Sequence, residues 1–308
     1  MLTRDYTSGD IFNLYETDFV YLKMGIGVTR FKFENSNTPL KKYGTSNAQS
    51  AKFNFEFGSA PRLVGGTSLA KLASLDHSQV KLLSQAAVHS MDATRAVLMK
   101  WRRQGHSLTE IYLQGIAQST RHIGHLWATD ELDFVNGNIA YARLHHALHD
   151  CSAEFLAEGG SESNGLSLLL LTEPASQHGI GAFMLSEFFR RAGWRIMLVT
   201  PEDIADFKRV FLSDWFDAVV LSISTDRHIK TVSEAVMELR DATINPQLKI
   251  YVGGPMAQLL PSALHWQGTL LLDQNAAQTV ETVTQVALAS ASFDANESLP
   301  IPSVDVPR

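Results

Sequence analysis

The residues best suited to chemistry lie in a loop between an apolar run of strand length and a helix. The run LSLLLLT is followed by TEPASQHGIGA, which places His178 directly before Gly179, Ile180 and Gly181. A histidine ring nitrogen is a common metal ligand, and glycines let a bulky ligand approach the backbone closely. His178 is therefore a candidate to supply a ring nitrogen to a metal where the helix begins.

Two further strand ends carry residues suited to lining a ligand site. The run DAVVLSIS ends in Ser222 and Ser224, and the run KIYVGG ends in Gly253 and Gly254. In an open parallel sheet the carboxyl ends of the strands share one edge, and ligands bind outside that edge. We therefore expect the serines, the glycine pair and His178 to surround a single site.

The elements that position these residues alternate between strands and helices. Helical segments at 180–192, 202–211 and 229–241 separate the apolar runs, and such units imply a parallel sheet with helices on both faces. We predict a doubly wound, five-stranded parallel domain of flavodoxin-like type over 165–291. Its strands are expected at 166–172, 194–200, 217–224, 249–254 and 268–273.

The chain before this domain has a helical pattern. Apolar residues recur with a helical period in several segments joined by short connections, which predicts an all-α bundle at 67–158. The flexible sequence EGGSESN separates this bundle from the sheet. Residues 1–66 form an N-terminal extension of unassigned structure, in which Phe19–Phe33 favours a hairpin, and 292–308 are expected to be a disordered tail.

Composition excludes several classes of protein. The 308 residues contain 26 Lys and Arg against 32 Asp and Glu, a formal net charge of −6, so direct nucleic-acid binding is not expected. The single cysteine, Cys151, rules out an internal disulfide framework and fits a reducing compartment. Apolar runs of membrane-spanning length and a signal peptide are both absent, so a cytoplasmic protein is expected.

The motifs at the strand ends resemble those of cobalamin-binding domains. That family carries Asp-x-His-x-x-Gly, then a Ser-x-Leu strand end, then Gly-Gly, at similar spacing. This chain has SQHGIG from Ser176, SIS from Ser222 and GG from Gly253. The resemblance implies that His178 displaces the dimethylbenzimidazole base of cobalamin and binds cobalt from below. It also implies that Ser222, Ser224, Gly253 and Gly254 line the channel that holds the displaced base.

The helical half adds to this resemblance and departs from it. Cobalamin-dependent methyltransferases and cobalamin photoreceptors place a four-helix bundle over the upper face of cobalt, with a tryptophan followed at a fixed distance by Glu-His. This chain keeps the tryptophan, as Trp127, but has Gly137 and Asn138 in place of Glu-His. The resemblance implies that Trp127 faces the cofactor. Helical histidines could serve as the upper cobalt ligand, and we favour His145 or His146.

A second departure bears on activity. Ser176 stands where the family has an aspartate whose carboxylate hydrogen-bonds the ligand histidine and tunes it. The loss of this aspartate and of the upper Glu-His argues against methyl transfer. We therefore expect a sensor rather than an enzyme.

Among sensors, the chain is similar to the AerR/PpaA-type antirepressors of photosystem genes in purple bacteria. These pair a degenerate helical bundle with a cobalamin domain and bind a redox-responsive repressor of CrtJ/PpsR type. The resemblance implies such a repressor as partner, and adenosyl-, methyl- or hydroxocobalamin as the cofactor of a photoreceptor. A corrinoid carrier for a methyltransferase, a haem sensor of the same fold and a cofactor-free interaction module are the alternatives.

Structural roles compete with these assignments. His178 could simply cap the next helix, Trp127 could be plain bundle core, and the serines could merely end a strand. The helical pairs His122/His125 and His145/His149 lie one turn apart, so a two-histidine metal site is a further, less favoured reading.

Overall fold

The computed structural model describes residues 74–159, 162–177, 179–272 and 275–297, and of 290–297 the backbone alone. The predicted extension at 1–66, with its hairpin, lies outside the described residues. So does His178, the residue on which the predicted metal ligation depends.

Helices form the first described part of the chain, as predicted. The first of them, α1 (His77–His89), begins with a capping box in which the Asp76 carboxylate accepts from the Gln79 N–H and the Gln79 side chain accepts from the Asp76 N–H. The others are α2 (Met91–Arg103), α3 (Leu108–Glu110) running through a π-helical segment (Ile111–Ile116) into α4 (Ala117–Ala128), and α5 (Phe134–Gly159).

The second part is a five-stranded parallel sheet in the order β2-β1-β3-β4-β5. Strand β1 is buried along its whole length, as its apolar sequence requires in the middle of a parallel sheet. The strands are β1 (Ser167–Thr172), β2 (Arg195–Val199), β3 (Ala218–Ser222), β4 (Lys249–Gly253) and β5 (Thr269–Leu271). The helices are α6 (Gly179–Arg191), α7 (Ile204–Phe211), α8 (Ile229–Leu239), α9 (Pro255–Leu259) and α10 (Ala276–Glu297).

The strand register brings the predicted site residues to one edge. Thr172 at the end of β1 pairs with Ser222 at the end of β3, and Ser222 pairs with Gly253 at the end of β4. The three strands therefore end in register, and the loops that follow them lie together at the carboxyl-end edge of the sheet.

The bundle and the sheet share one apolar core. Phe155 of α5 stacks on Tyr112 of the π-helical segment with ring centroids 4.3 Å apart, and Phe188 of α6 meets Phe155 edge-on at 4.9 Å. Arg191 of α6 places its guanidinium carbon 4.6 Å from the centroid of Phe155. Aromatic packing of this kind fixes α5 against α6.

Some predicted boundaries were wrong. Helix α10 continues to Glu297, so the first residues of the predicted disordered tail are helical and the α/β part does not stop at 291. Strand β5 is shorter than predicted, since it spans only Thr269–Leu271. Across the part of the chain that the structure describes, no helix has the length and apolarity needed to span a membrane.

Candidate functional site

A cavity of about 400 Å³ lies at the carboxyl ends of β1, β3 and β4. Its floor is formed by the strand ends and the loops after them, and its roof by α4 and α5 of the bundle. This is the edge at which ligands bind in doubly wound sheets, and here a second layer of helices closes the space from above.

Most of the residues predicted from the sequence line this cavity. On the α/β side they are Ser176, Ile180, Gly181, Ser222, Ser224, Gly253 and Gly254, and on the bundle side Trp127. Gly179, the first residue of α6, does not line it. The structure thus brings together residues that are far apart in the sequence, while their contacts to a ligand stay a prediction.

The loop that carries His178 opens onto the cavity on both sides of this residue. Gln177 precedes His178 and Ile180 follows it by two positions, and both line the cavity. Gly181 lines it as well, and a Cβ atom added there would meet no protein atom within 4 Å. Gly181 therefore leaves room beside the loop that a side chain would occupy.

The glycine pair after β4 has two different reasons to be glycine. Gly254 has φ +91°, and an added Cβ would lie 2.7 Å from the backbone nitrogen and oxygen of Ile223. Gly253 is tight rather than strained, since a Cβ there would lie 3.1 Å from the carbonyl oxygen of Leu272. Both keep the backbone of β4 close to its neighbours, and so shape the cavity wall.

A buried carboxyl on this wall is a residue that sequence reasoning missed. Glu173 directly follows β1, is 2% exposed and lines the cavity. Its carboxylate accepts the Ser224 N–H at 2.9 Å and the Ser176 hydroxyl at 3.2 Å. Burial raises the pKa of Glu173, and these two hydrogen bonds oppose that rise because they stabilise the ionised form. An acidic residue directly after a buried strand was the available signal.

Two further residues on the α/β wall, an arginine and a histidine, were also missed. Arg227 and His228 belong to a short 3-10 helix after β3 and line the cavity, as does Arg121 of α4 across from them. Burial, and next the charge of Arg227, lower the pKa of His228. The cavity therefore presents guanidinium groups on both walls, which suits a ligand that carries an anionic group.

The roof of the cavity consists of aromatic and small residues. Trp127 and Phe134 lie with ring centroids 6.0 Å apart, and Gly137 and Asn138 line the cavity at the positions where the family motif would have Glu-His. Tyr141, one turn further along α5, lines it too. In the described part of the bundle, the cavity wall contains neither a carboxylate nor an imidazole.

The structure does not bring His145 or His146, predicted as a possible upper metal ligand, to the cavity. Neither residue lines the cavity, because each lies at least one turn beyond Tyr141 on α5. His145 packs against Phe183 with ring centroids 5.6 Å apart, and burial, followed by the charges of His149 and His146, lowers its pKa. His146 is exposed.

The other histidine pair lies at a separate place. His122 and His125 line a second cavity of about 530 Å³, together with His77 of α1. The described residues contain no cluster of three or more histidine, cysteine or acidic side chains arranged to hold a metal ion.

The donor set fits a corrinoid. Serine hydroxyls and loop amides can pair with the carboxamides at the corrin edge, guanidinium groups suit the phosphate of the nucleotide tail, and apolar walls suit the ring faces. The space beside Gly181 is a cleft that an alanine Cβ would enter. The residues present therefore match the chemistry that the strand-end motifs predict.

Comparison with known proteins agrees with this geometry. Residues 167–282 match the family model for the B12 binding domain. An uncharacterized 20.5 kDa protein in the bchF-crtJ intergenic region of Rhodobacter capsulatus is 26% identical over 157 residues, which are 51% of this chain and 81% of that protein.

A solved structure shows the same fold. The monomethylamine corrinoid protein of Methanosarcina barkeri superimposes with a TM-score of 0.57 and 12% identity, over 68% of this chain and 100% of that one. A helical region followed by a five-stranded parallel sheet is therefore confirmed as the fold predicted from the sequence.

Proposed function

We propose that the chain holds a cobalamin in the cavity between sheet and bundle, on the premise that residues 167–282 match the family model for the B12 binding domain. The observation that supports this most is the meeting of three strand ends at one edge. There Ser222, Gly253 and Gly254 line the same cavity as the loop residues Gln177 and Ile180.

His178 is the proposed lower cobalt ligand. Gln177 and Ile180, which lie on either side of it in the sequence, both line the cavity, and this supports the assignment. Ser222, Ser224, Gly253 and Gly254 lie where they would accompany the displaced dimethylbenzimidazole along the end of β3 and β4. Arg227 would pair with the tail phosphate.

The proposed role is regulatory rather than catalytic. Gly137 and Asn138 occupy the roof where a Glu-His pair would serve methyl transfer. The relative in Rhodobacter capsulatus is encoded between bchF and crtJ, which supports a connection with a repressor of CrtJ type. We therefore place this chain in the cytoplasm as an antirepressor that binds a CrtJ/PpsR-type repressor and controls photosystem genes.

The signal would be light, oxygen or both, read at the upper face of the cofactor. Alkylcobalamins supply a cobalt–carbon bond that light cleaves. The residues able to respond are those of the roof, because Trp127, Phe134 and Tyr141 contact the same space from α4 and α5. A change in what fills that space would shift the bundle relative to the sheet and alter the surface offered to the repressor.

The test is reconstitution of the purified chain with hydroxo-, methyl- and adenosylcobalamin, and with haem in parallel. We expect a cobalamin spectrum that survives gel filtration and changes on illumination of the alkyl forms, with a matching change in repressor binding. A haem spectrum in place of the cobalamin one, methyl turnover with a partner enzyme, or a colourless protein after every addition would each contradict the proposal.

A further inference from the structure

The second cavity, of about 530 Å³, lies between the start of α1, the π-helical segment and α4. Four of the residues that line it can carry positive charge: His77 of α1, and Arg121, His122 and His125 of α4. The last three lie on one face of α4, because positions three and four apart on a helix are neighbours. This cavity therefore collects basic side chains beside the space proposed for cobalamin.

The guanidinium group of Arg121 lacks an anionic partner. Arg121 is half-buried, and it forms no ion pair or hydrogen bond within the described part of the chain. Arg95 of the same bundle, in contrast, contacts the carboxylate of Asp150 at 2.7 Å. Partial burial of a charged group costs free energy unless the charge is compensated. A bound anion would supply this compensation.

His122 lies among other basic groups. Its ring centroid is 5.8 Å from that of His77, and the buried Nδ1 atom of His125 has no hydrogen-bond partner among the described residues. Burial lowers the pKa of His122, and the charges of His77 and His125 act in the same direction. Lys81 adds to this effect and Glu131 opposes it. An anion next to His122 would favour its protonated form.

Asp76 is the only acidic residue among the described residues that line this cavity. Its Oδ1 atom accepts the Ser78 hydroxyl at 2.6 Å and the Gln79 N–H at 3.0 Å, so this carboxylate serves to cap α1. It does not pair with Arg121. The positive charge of the cavity is thus left for a ligand to neutralise.

We propose that the second cavity binds a phosphate group, which is held by Arg121, His122 and His125. A guanidinium group pairs with two phosphate oxygens at once, and imidazolium rings donate to the others. A phosphate monoester carries about −1.5 to −2 charge near neutral pH, which suits a site with more than one basic group better than a carboxylate does. The amides of Gln114 and Gln118 line the same cavity and can also donate.

The first experiment titrates sulfate into the full chain without cobalamin, at constant ionic strength, and measures binding by calorimetry. Sulfate stays a dianion between about pH 8 and about pH 5.5, so any pH dependence in this range comes from the protein. We expect the affinity to rise about tenfold or more as the pH falls, because one ring pKa that rises by about one unit on binding gives this factor. An affinity that is independent of pH would contradict a role for the imidazoles.

Two variants separate the basic groups. R121Q should lower sulfate affinity about tenfold or more at every pH, without loss of stability in the ligand-free protein, because the arginine it replaces is uncompensated. H122Q should bind sulfate like the wild type at about pH 8 and lose most of the gain at low pH. If R121Q does not fold, NMR of the histidine rings decides, since sulfate must raise the pKa of His122.

The matched controls are R227Q and H89Q. Arg227 lines the other cavity, which Arg121 also lines, and His89 is exposed at the far end of α1. Both variants should bind sulfate like the wild type. Loss of sulfate binding in R227Q but not in H122Q would place the anion in the cobalamin cavity and overturn the inference.

A second titration compares inorganic phosphate with adenosine monophosphate. Tighter binding of the nucleotide would identify a phosphate ester as the ligand, and equal or weaker binding would identify free phosphate. No saturable binding of sulfate or phosphate up to about 10 mM, or binding of Zn²⁺ that is lost in H122Q without any anion binding, would contradict the proposed site. Because cobalamin is absent, none of these results depends on the proposed function.

Discussion

The hydroxyl of Tyr141 accepts the backbone N–H of Ile180 at 3.0 Å. Tyr141 belongs to α5 of the bundle, and Ile180 is the second residue of α6, two positions after His178. The first N–H groups of a helix have no partner within the helix, so Tyr141 supplies one from the other layer. This bond links the roof of the cavity to the loop that carries the proposed cobalt ligand.

Replacing Tyr141 with phenylalanine should therefore weaken both the fold and the binding of cobalamin. Loss of one hydrogen bond is expected to cost about 1 kcal/mol of unfolding free energy. Because the bond fixes the start of α6, the cobalamin complex should also dissociate faster. Urea unfolding and the rate of cobalamin loss on dilution measure the two effects.

The control for this prediction is Y112F. The Tyr112 hydroxyl donates to the Leu148 carbonyl at 3.2 Å inside the bundle and does not line the cavity. Its loss should lower stability by a similar amount and leave cobalamin retention unchanged. Equal retention by Y141F and the wild type would show that the bond to Ile180 has no part in binding.

G181A should separate binding from stability. An added Cβ would meet no protein atom within 4 Å, and alanine favours a helix over glycine by up to about 1 kcal/mol. The ligand-free protein should therefore be as stable as the wild type or more so. Its affinity for cobalamin should fall by about tenfold or more, since the methyl group occupies space beside the ligand loop. Unaltered affinity in calorimetric titration would place the ligand elsewhere.

G254A should have the opposite effect. The positive φ of Gly254 costs an alanine about 1–2 kcal/mol, and the contact of its Cβ with the backbone of Ile223 at 2.7 Å adds to this. We expect a loss of at least about 2 kcal/mol of unfolding free energy without any ligand. A G254A protein that unfolds at the wild-type urea concentration would contradict the strained conformation of this residue.

His145 should make stability depend on pH. Burial lowers its pKa, so the unfolded chain binds the proton more readily than the folded one. The stability contributed by the neutral ring is fully present above the unfolded value of about 6.5, and it is lost as the pH falls from there through the lower pKa of the folded state. Urea unfolding of wild type and H145F from about pH 8 to about pH 5 should show a shallower loss in the variant.

The ring of His145 is close to other titratable and aromatic groups. His149 and His146 lie on the same helix as His145, and Tyr141 and Phe183 also face the His145 ring. The control is H146Q, because His146 is the exposed neighbour and its replacement removes one histidine without opening the core. The stability of H146Q should depend on pH in the same way as that of the wild type. Parallel curves for wild type and H145F would show that the buried ring does not resist protonation.

The sequence was informative about the strand ends because these positions are set by backbone topology. The alternation of apolar runs and helices determines a parallel sheet, and a parallel sheet brings Ser222 and Gly253 together at one edge. Because the local alternation of strands and helices determines which strand ends meet, the fold and most of the α/β wall of the cavity could be predicted.

The bundle side was harder, because the direction of a side chain depends on helix phase and on packing. Five helical histidines were compatible with an upper ligand, yet His145 and His146 lie beyond the turn of α5 that lines the cavity. Glu173 was missed for a related reason. Its place on the cavity wall is held by hydrogen bonds to Ser176 and Ser224, and the second of these residues is distant in sequence.

The central claim is tested most directly by electron paramagnetic resonance of the Co(II) form in protein labelled with nitrogen-15 histidine. One axial nitrogen-15 splits the cobalt lines into doublets, whereas the unlabelled base of cobalamin splits them into triplets. We predict doublets for the wild type and their loss in H178A. Triplets in the wild type, or doublets that persist in H178A, would contradict the assignment of His178 as the cobalt ligand.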